Sequence, residues 1–199
     1  MKSTRLLYFV LVFAMSFALV APSHPQARSM APDAGPSILV HQRIRDRIYP
    51  TVRGGTFHLM ASPHRPLLLA FLQVLPDSAA TPSRSEALFL QSMEHQYAAR
   101  GLRVAAIDGS SMVSHRSPFH DDLLNASYDW HLTFPLLEDH NGSAAHEFHV
   151  RTVPTVVLID DTGIIVQAWE GFTPPALLAQ GIERLLGGPL GRVPELTTK

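Results

Sequence analysis

The chain of 199 residues is 46% apolar and 17% charged, with 16 Lys+Arg against 17 Asp+Glu and a formal net charge of −1. That length suits one domain with short appendages, and the balanced charge argues against a nucleic-acid or polyanion binder, which carries a clear basic excess. The absence of cysteine excludes a disulfide scaffold, cysteine-ligated zinc, iron–sulfur clusters and every thiol-based reaction by this chain alone.

Lys2 and Arg5 precede an uncharged apolar run over residues 6–21, the pattern of a secretory signal peptide. Leu19 and Ala21 occupy the −3 and −1 positions of a cleavage site after residue 21, with Leu larger than the small residue preferred at −3. The same run approaches the roughly 20 residues of a bilayer span, so an uncleaved anchor is the other reading. Both place the protein outside the cytoplasm, secreted, periplasmic or in the cell envelope, with membrane contact only through that anchor. Residues 22–50 open with PSHPQARSMAPDAGP and read as a flexible linker and lead-in. Residues 51–187 read as the folded domain, and residues 188–199 as a flexible tail.

Within the domain, Thr56–Met60 is a short strand candidate, and Leu67–Val74 (LLLAFLQV) is a continuous apolar run that fits a strand buried on both faces. Ser83–Arg100 is helical, with Phe89, Met93 and Tyr97 at spacing four, Ser83 and Glu86 forming a capping box, and Gly101 ending it. Leu102–Asp108 is the next buried strand. A helix over Asp121–Tyr128, a strand over Phe134–Leu137 and a helical turn over Ala144–Phe148 follow. Thr155–Ile159 and Ile164–Trp169, joined by Asp160-Asp161-Thr162-Gly163, make a hairpin. The last helix runs from Pro175 to Leu186 with Leu178, Ile182 and Leu185 on one face. Trp130 and Trp169 are expected in or near the core. This order gives an α/β sandwich: a mixed central sheet flanked by helices, with an early parallel pair and a closing antiparallel hairpin.

The block from Pro66 to Leu186 resembles the thioredoxin superfamily, in its exported thiol-disulfide oxidoreductase and alkyl hydroperoxide reductase/thiol-specific antioxidant ("redoxin") branch. The matching segments are LLLAFLQV before a helix, GLRVAAID after it, TFPLLEDHNG, and VRTVPTVVLIDDTGIIVQAWEG. The resemblance implies a thioredoxin-like fold and, in relatives, a Cys-x-x-Cys where the first buried strand hands over to the first long helix. The helix N-terminus there favours the thiolate. Counting back from Glu86, the corresponding residues are Ala80, Thr81, Pro82 and Ser83, so no catalytic residue is expected. Ser83 will not ionise at neutral pH without a nearby base and cannot form a disulfide; capping the helix is its simpler role. Pro76 and Thr81 do not have the spacing of the peroxidase variant. Val153-Pro154 matches the cis-proline of the resemblance. With Thr155 it outlines a groove that either binds an extended peptide by strand addition or serves folding alone.

Eleven histidines raise a metal question. His146 and His149, with Glu147 between and His140 nearby, form one group; His115, His120, Asp121 and Asp122 form another. Imidazole with carboxylate can hold Cu²⁺ or Zn²⁺, but neither spacing is a recognised signature, and solvated surface histidines are the simpler reading. Asn125-Ala126-Ser127 and Asn141-Gly142-Ser143 fit the glycosylation sequon. No cofactor is expected. Two functions remain: a redox-inactive module that binds a protein or peptide partner, and a His/carboxylate metal-binding protein or non-thiol enzyme at the vacant corner.

Overall fold

A computed structural model of the chain describes residues 40–60, 65–74, 81–114 and 118–187. The apolar run 6–21, the linker up to residue 39 and the tail 188–199 lie outside the described residues. In chain order the elements are β1 (Ile48–Pro50), β2 (Thr56–His58), β3 (Leu67–Leu72), α1 (Pro82–Tyr97), a 3-10 turn (Ala98–Arg100), β4 (Arg103–Asp108), α2 (Ser110–Ser114), α3 (His120–Asp129), β5 (Leu136–Leu137), α4 (Ser143–Glu147), β6 (Thr155–Ile159), β7 (Ile165–Glu170) and α5 (Pro175–Leu185).

Among the described residues, five strands form one sheet in the order β5-β4-β3-β6-β7. β3 runs parallel to β4, with Leu68 opposite Val104, and antiparallel to β6, with Ala70 opposite Val156. All six β3 residues are buried, which explains the unbroken apolar run where an alternating one would mark a half-exposed strand. The two-residue period sorts the side chains into two cores. Leu68, Ala70, Leu72, Val104, Ala106, Val156 and Leu158 meet α1, α3 and α5 through Leu90, Met93, Tyr97, Leu123, Leu178 and Ile182. Leu67, Leu69, Phe71, Ile107, Val157 and Ile159 meet Tyr49, Leu59, Ala144, Ala145 and Phe148 on the other face.

The mixed α/β sandwich read from the sequence is the observed architecture, and both tryptophans are in the first core. Several details differ. The lead-in is ordered by residue 40: Ile44 N donates to Gly163 O and Ile165 N to Gln42 O, so the folded part starts before Thr51. β1 lies in that lead-in and pairs with β2 in a separate two-stranded sheet. β5 is two residues long where the apolar pattern suggests four, because Phe134 and Pro135 precede the ladder with β4. α2 has only five residues and no helical period to betray it.

The helix cap also differs. Thr81, not Ser83, is the N-cap of α1, and its hydroxyl accepts from Arg84 N at 3.2 Å. Pro82 fixes this, since proline belongs at the first helical position and the cap must precede it. Ser83 and Glu86 therefore turn inward. Phe89 sits at the core's margin against Phe172, their ring centres 5.4 Å apart, while Leu90 takes the inner position.

Two arginines fasten the small hairpin. Arg103 donates to Leu59 O and His58 O and lies over the Phe57 ring. Arg53 donates to Ser127 O and Leu132 O at the C-terminal end of α3, where a cation complements the helix dipole. On the opposite side, α5 approaches β7 through a glycine. A methyl on Gly181 would stand 2.8 Å from ring carbons of Trp169 and 2.9 Å from Gln167 Oε1. Alanine is the better helix former by ~1 kcal/mol, but overpacking of this kind costs about 1–3 kcal/mol. Gly181→Ala is therefore expected to lower the midpoint of urea unfolding; a raised midpoint would show that the indole yields freely.

Candidate functional site

The parallel strands β3, β4 and β5 end on one edge of the sheet, and the segment leading into β6 reaches the same edge because Thr155 pairs with Phe71. Carboxyl ends of strands in open α/β sheets are where ligands bind. Of the four positions matched to the lost dithiol, Ala80 lies outside the described residues. Thr81 caps α1, Pro82 is exposed on its first turn, and Ser83 is buried.

Two serines stitch the end of β3 to its neighbours. Gln73 N donates to Ser83 Oγ at 2.9 Å, and Val74 N donates to Ser110 Oγ at 2.8 Å. Ser110 N in turn donates to Asp108 Oδ1 at 3.1 Å. Asp108 is buried at the last position of β4, and that burial pushes its carboxyl up to about 6, with nearby Asp139 adding to the rise and the Ser110 hydrogen bonds opposing it.

Glu86 is fully buried, with 0% of it exposed. Its Oε2 accepts from Thr173 N at 2.8 Å, and among the described residues its Oε1 has no partner. Burial raises its pKa to about 7 against the opposing Thr173 hydrogen bond. Thr173 Oγ1 donates to Gly171 O, and Gly171 N donates to Pro154 O at 2.8 Å. A continuous chain of hydrogen bonds and backbone thus links the α1 carboxyl to the groove.

The groove is built from Val153, Pro154 and Thr155. The Val153–Pro154 peptide bond is cis. Thr155 Oγ1 donates to Thr152 O at 2.7 Å, tightening the turn before β6. Val153 packs over Gly109, where a methyl would stand 2.8 Å from its Cγ1, so only glycine allows this approach. Val153 is half-buried, and among the described residues its backbone N–H and C=O have no hydrogen-bond partner. Phe172, 45% exposed, follows Gly171 beside Pro154.

The histidines regroup. His120 Nδ1 lies 2.5 Å from Glu138 Oε1, and His140 Nε2 lies 2.8 Å from Glu138 Oε2; His115 lies outside the described residues. His146 and His149 do not join them. They line a cleft with Arg43, Arg45 and Arg47, surroundings that oppose a divalent cation, and among the described residues no group of three His, Asp or Glu is arranged to hold a metal. Asp108, Ser110, Glu138 and Thr173 carry no motif or spacing that marks them in the sequence. Glu138 falls within TFPLLEDHNG, but an acid next to a turn reads as solvated, and only folding brings two imidazoles to it.

The AhpC/TSA family model matches residues 40–168. Among curated proteins none matches the sequence. Similar solved structures include a protein described as thiol:disulfide interchange protein DsbE from Chlorobium tepidum, with TM-score 0.64 and 23% identity, covering 74% of this chain and 98% of that one. StoA from Bacillus subtilis has TM-score 0.57 and 19% identity, with 70% and 97% covered. The thioredoxin domain of a thiol-disulfide oxidoreductase from Bacteroides vulgatus has TM-score 0.61 and 12% identity, with 75% and 99% covered. These likenesses show the thioredoxin-like fold.

The buried glutamate makes stability depend on pH. Its folded pKa of about 7 exceeds the ordinary 4.5, so its contribution to folding is fully present below about pH 4.5 and is lost as pH rises through about 7. The loss amounts to about 3 kcal/mol. Urea unfolding from pH 4.5 to 8 is expected to show a flatter decline in Glu86→Gln than in wild type, Asp108 still supplying a smaller share. Equal declines would mean that Glu86 titrates normally.

Proposed function

This chain belongs to the AhpC/TSA family, and for a member without a single cysteine we propose a redox-inactive role: a thioredoxin-like domain that binds an extended peptide or protein segment beside Val153, Pro154 and Thr155. The observation that carries this reading is the unpaired Val153 backbone. From Thr155 onward β6 is paired on both sides, to β3 and to β7. Pro154 O still accepts from Gly171 N, and two residues before Thr155 the pairing stops at Val153, leaving an N–H and a C=O that a peptide in extended conformation satisfies by strand addition. Exposed Phe172 supplies an apolar contact next to that backbone, and Gly109 lets Val153 lie flat against the sheet edge.

Retention of this groove beside a corner with no nucleophile fits binding without turnover. Ser83 Oγ accepts from Gln73 N, and no histidine or other base contacts it among the described residues, so nothing activates it as a nucleophile in place of a thiol. The Lys2 and Arg5 start with its apolar run supports export, so the partner is met outside the cytoplasm. N-terminal sequencing of the protein recovered from its own cells separates a cleaved signal from an anchor; intact Met1 in a soluble cytosolic fraction would remove export from the reading. Among the described residues no helix is long and apolar enough to cross a membrane.

The test is a display selection of extended peptides on the full chain, followed by scanning N-methylation of the selected peptide's backbone. Methylation at the one or two amides facing Val153 is expected to weaken binding at least tenfold and to abolish the shift of the Val153 amide signal, while neighbouring positions tolerate it. A selection that returns no binder, or binders insensitive to N-methylation, overturns strand addition. The same preparation is expected to reduce insulin disulfides no faster than a heat-killed control; turnover above it overturns the redox-inactive assignment.

A further inference from the structure

We infer that the cleft between residues 42–47 and α4, on the face of the sheet opposite α1, is a binding site for a small molecule carrying two or more phosphate or carboxylate charges. The cleft measures about 720 Å³, within the ~300–1,000 Å³ of small-molecule sites. Arg43, Arg45 and Arg47 all line it. They come from one segment, which the Arg43–Ile164 bridge and the Ile44 N to Gly163 O hydrogen bond hold against the β6–β7 hairpin. His146 and His149 line the opposite wall. Phe148 and Ile165 form part of the floor, giving an organic body an apolar surface to rest on.

The two end arginines are positioned. Arg43 donates to Thr162 O at 2.8 Å, and Arg47 Nε donates to Glu147 Oε2 at 3.0 Å. Between them, among the described residues, the side chains of Arg45, His146 and His149 make no hydrogen bond or ion pair. Glu147 is the one carboxylate among the lining residues, and Arg47 already engages it. The cleft therefore holds an excess of guanidinium donors whose planar forks match phosphate and carboxylate oxygens. Arg43 is held at Thr162 and Arg47 at Glu147, on two different elements, so the guanidiniums do not converge on one point and favour an anion with more than one charged group. The near-zero net charge of the chain argues against an extended nucleic-acid track and is compatible with one local basic cleft.

The test is a titration of the ¹⁵N-labelled full chain with sodium pyrophosphate and, separately, with citrate, each against sodium chloride at equal ionic strength. The expected result is saturable amide shifts confined to residues 41–47 and 141–149 with at least one of the two anions. Arg45→Gln and His149→Gln are each expected to weaken binding at least fivefold; both side chains are exposed, and unchanged far-UV circular dichroism confirms folding. Preference for pyrophosphate identifies a phosphate reader, and preference for citrate a carboxylate reader. Shifts that sodium chloride reproduces, that do not saturate, or that persist unchanged in both variants overturn the site. None of these outcomes depends on peptide binding at Val153.

Discussion

β3 has a strand on each edge and a helical or hairpin layer on each face, so every one of its six side chains is buried. Removing six consecutive apolar side chains from water contributes about 1.5–3 kcal/mol for each large residue, and β3 shares this full enclosure with its neighbour β6. Its parallel partner β4 and antiparallel partner β6 take their registers from it. Through those registers it brings Asp108, Val153 and the N-terminus of α1 to the same edge. The site is thus a consequence of where β3 stops.

At that edge the structure keeps polar groups that a fold with no further demand would replace with apolar ones. With Glu86 Oε1 unpartnered among the described residues, the buried carboxylate costs more free energy than the neutral acid, and burial accordingly holds the carboxyl protonated well above its usual range. The hydrogen bond to Thr173 ties α1 to the turn before α5, and Gly171 continues the connection to Pro154. A chain without cysteine has no thiolate for this carboxyl to influence. What persists is its mechanical role in fixing the turn that flanks the groove.

The two surfaces argued for binding differ in physics. The groove at Val153 offers directional backbone hydrogen bonds beside an apolar ring, which suits a chain segment of varied sequence. The cleft at Arg43, Arg45 and Arg47 offers charge and guanidinium geometry around an apolar floor, which suits a compact anion. They are built from opposite ends of β6 and β7: the groove where β6 begins, the cleft where the Asp160–Gly163 turn meets the lead-in.

The sequence by itself determined the succession of strands and helices along the domain, β1 and α2 apart, because burial on both faces leaves unbroken apolar runs at β3 and β6 and burial on one side leaves the four-residue spacing of α1. It also determined the absence of thiol chemistry, which is a matter of composition. Thr81 as the cap was legible too, since Pro82 demands it, although the Ser83–Glu86 spacing mimics a capping box. Only the tertiary structure decided which polar residues matter. Glu86 faces inward because Pro82 sets the start of the helix. Glu138 gathers His120 and His140 across 18 and two residues of chain. His146 and His149 meet arginines a hundred residues earlier, because the lead-in docks on the β6–β7 hairpin. Apolar periodicity is a local signal, written within one element. The company a charged side chain keeps is set by strand order and register, which no single segment encodes.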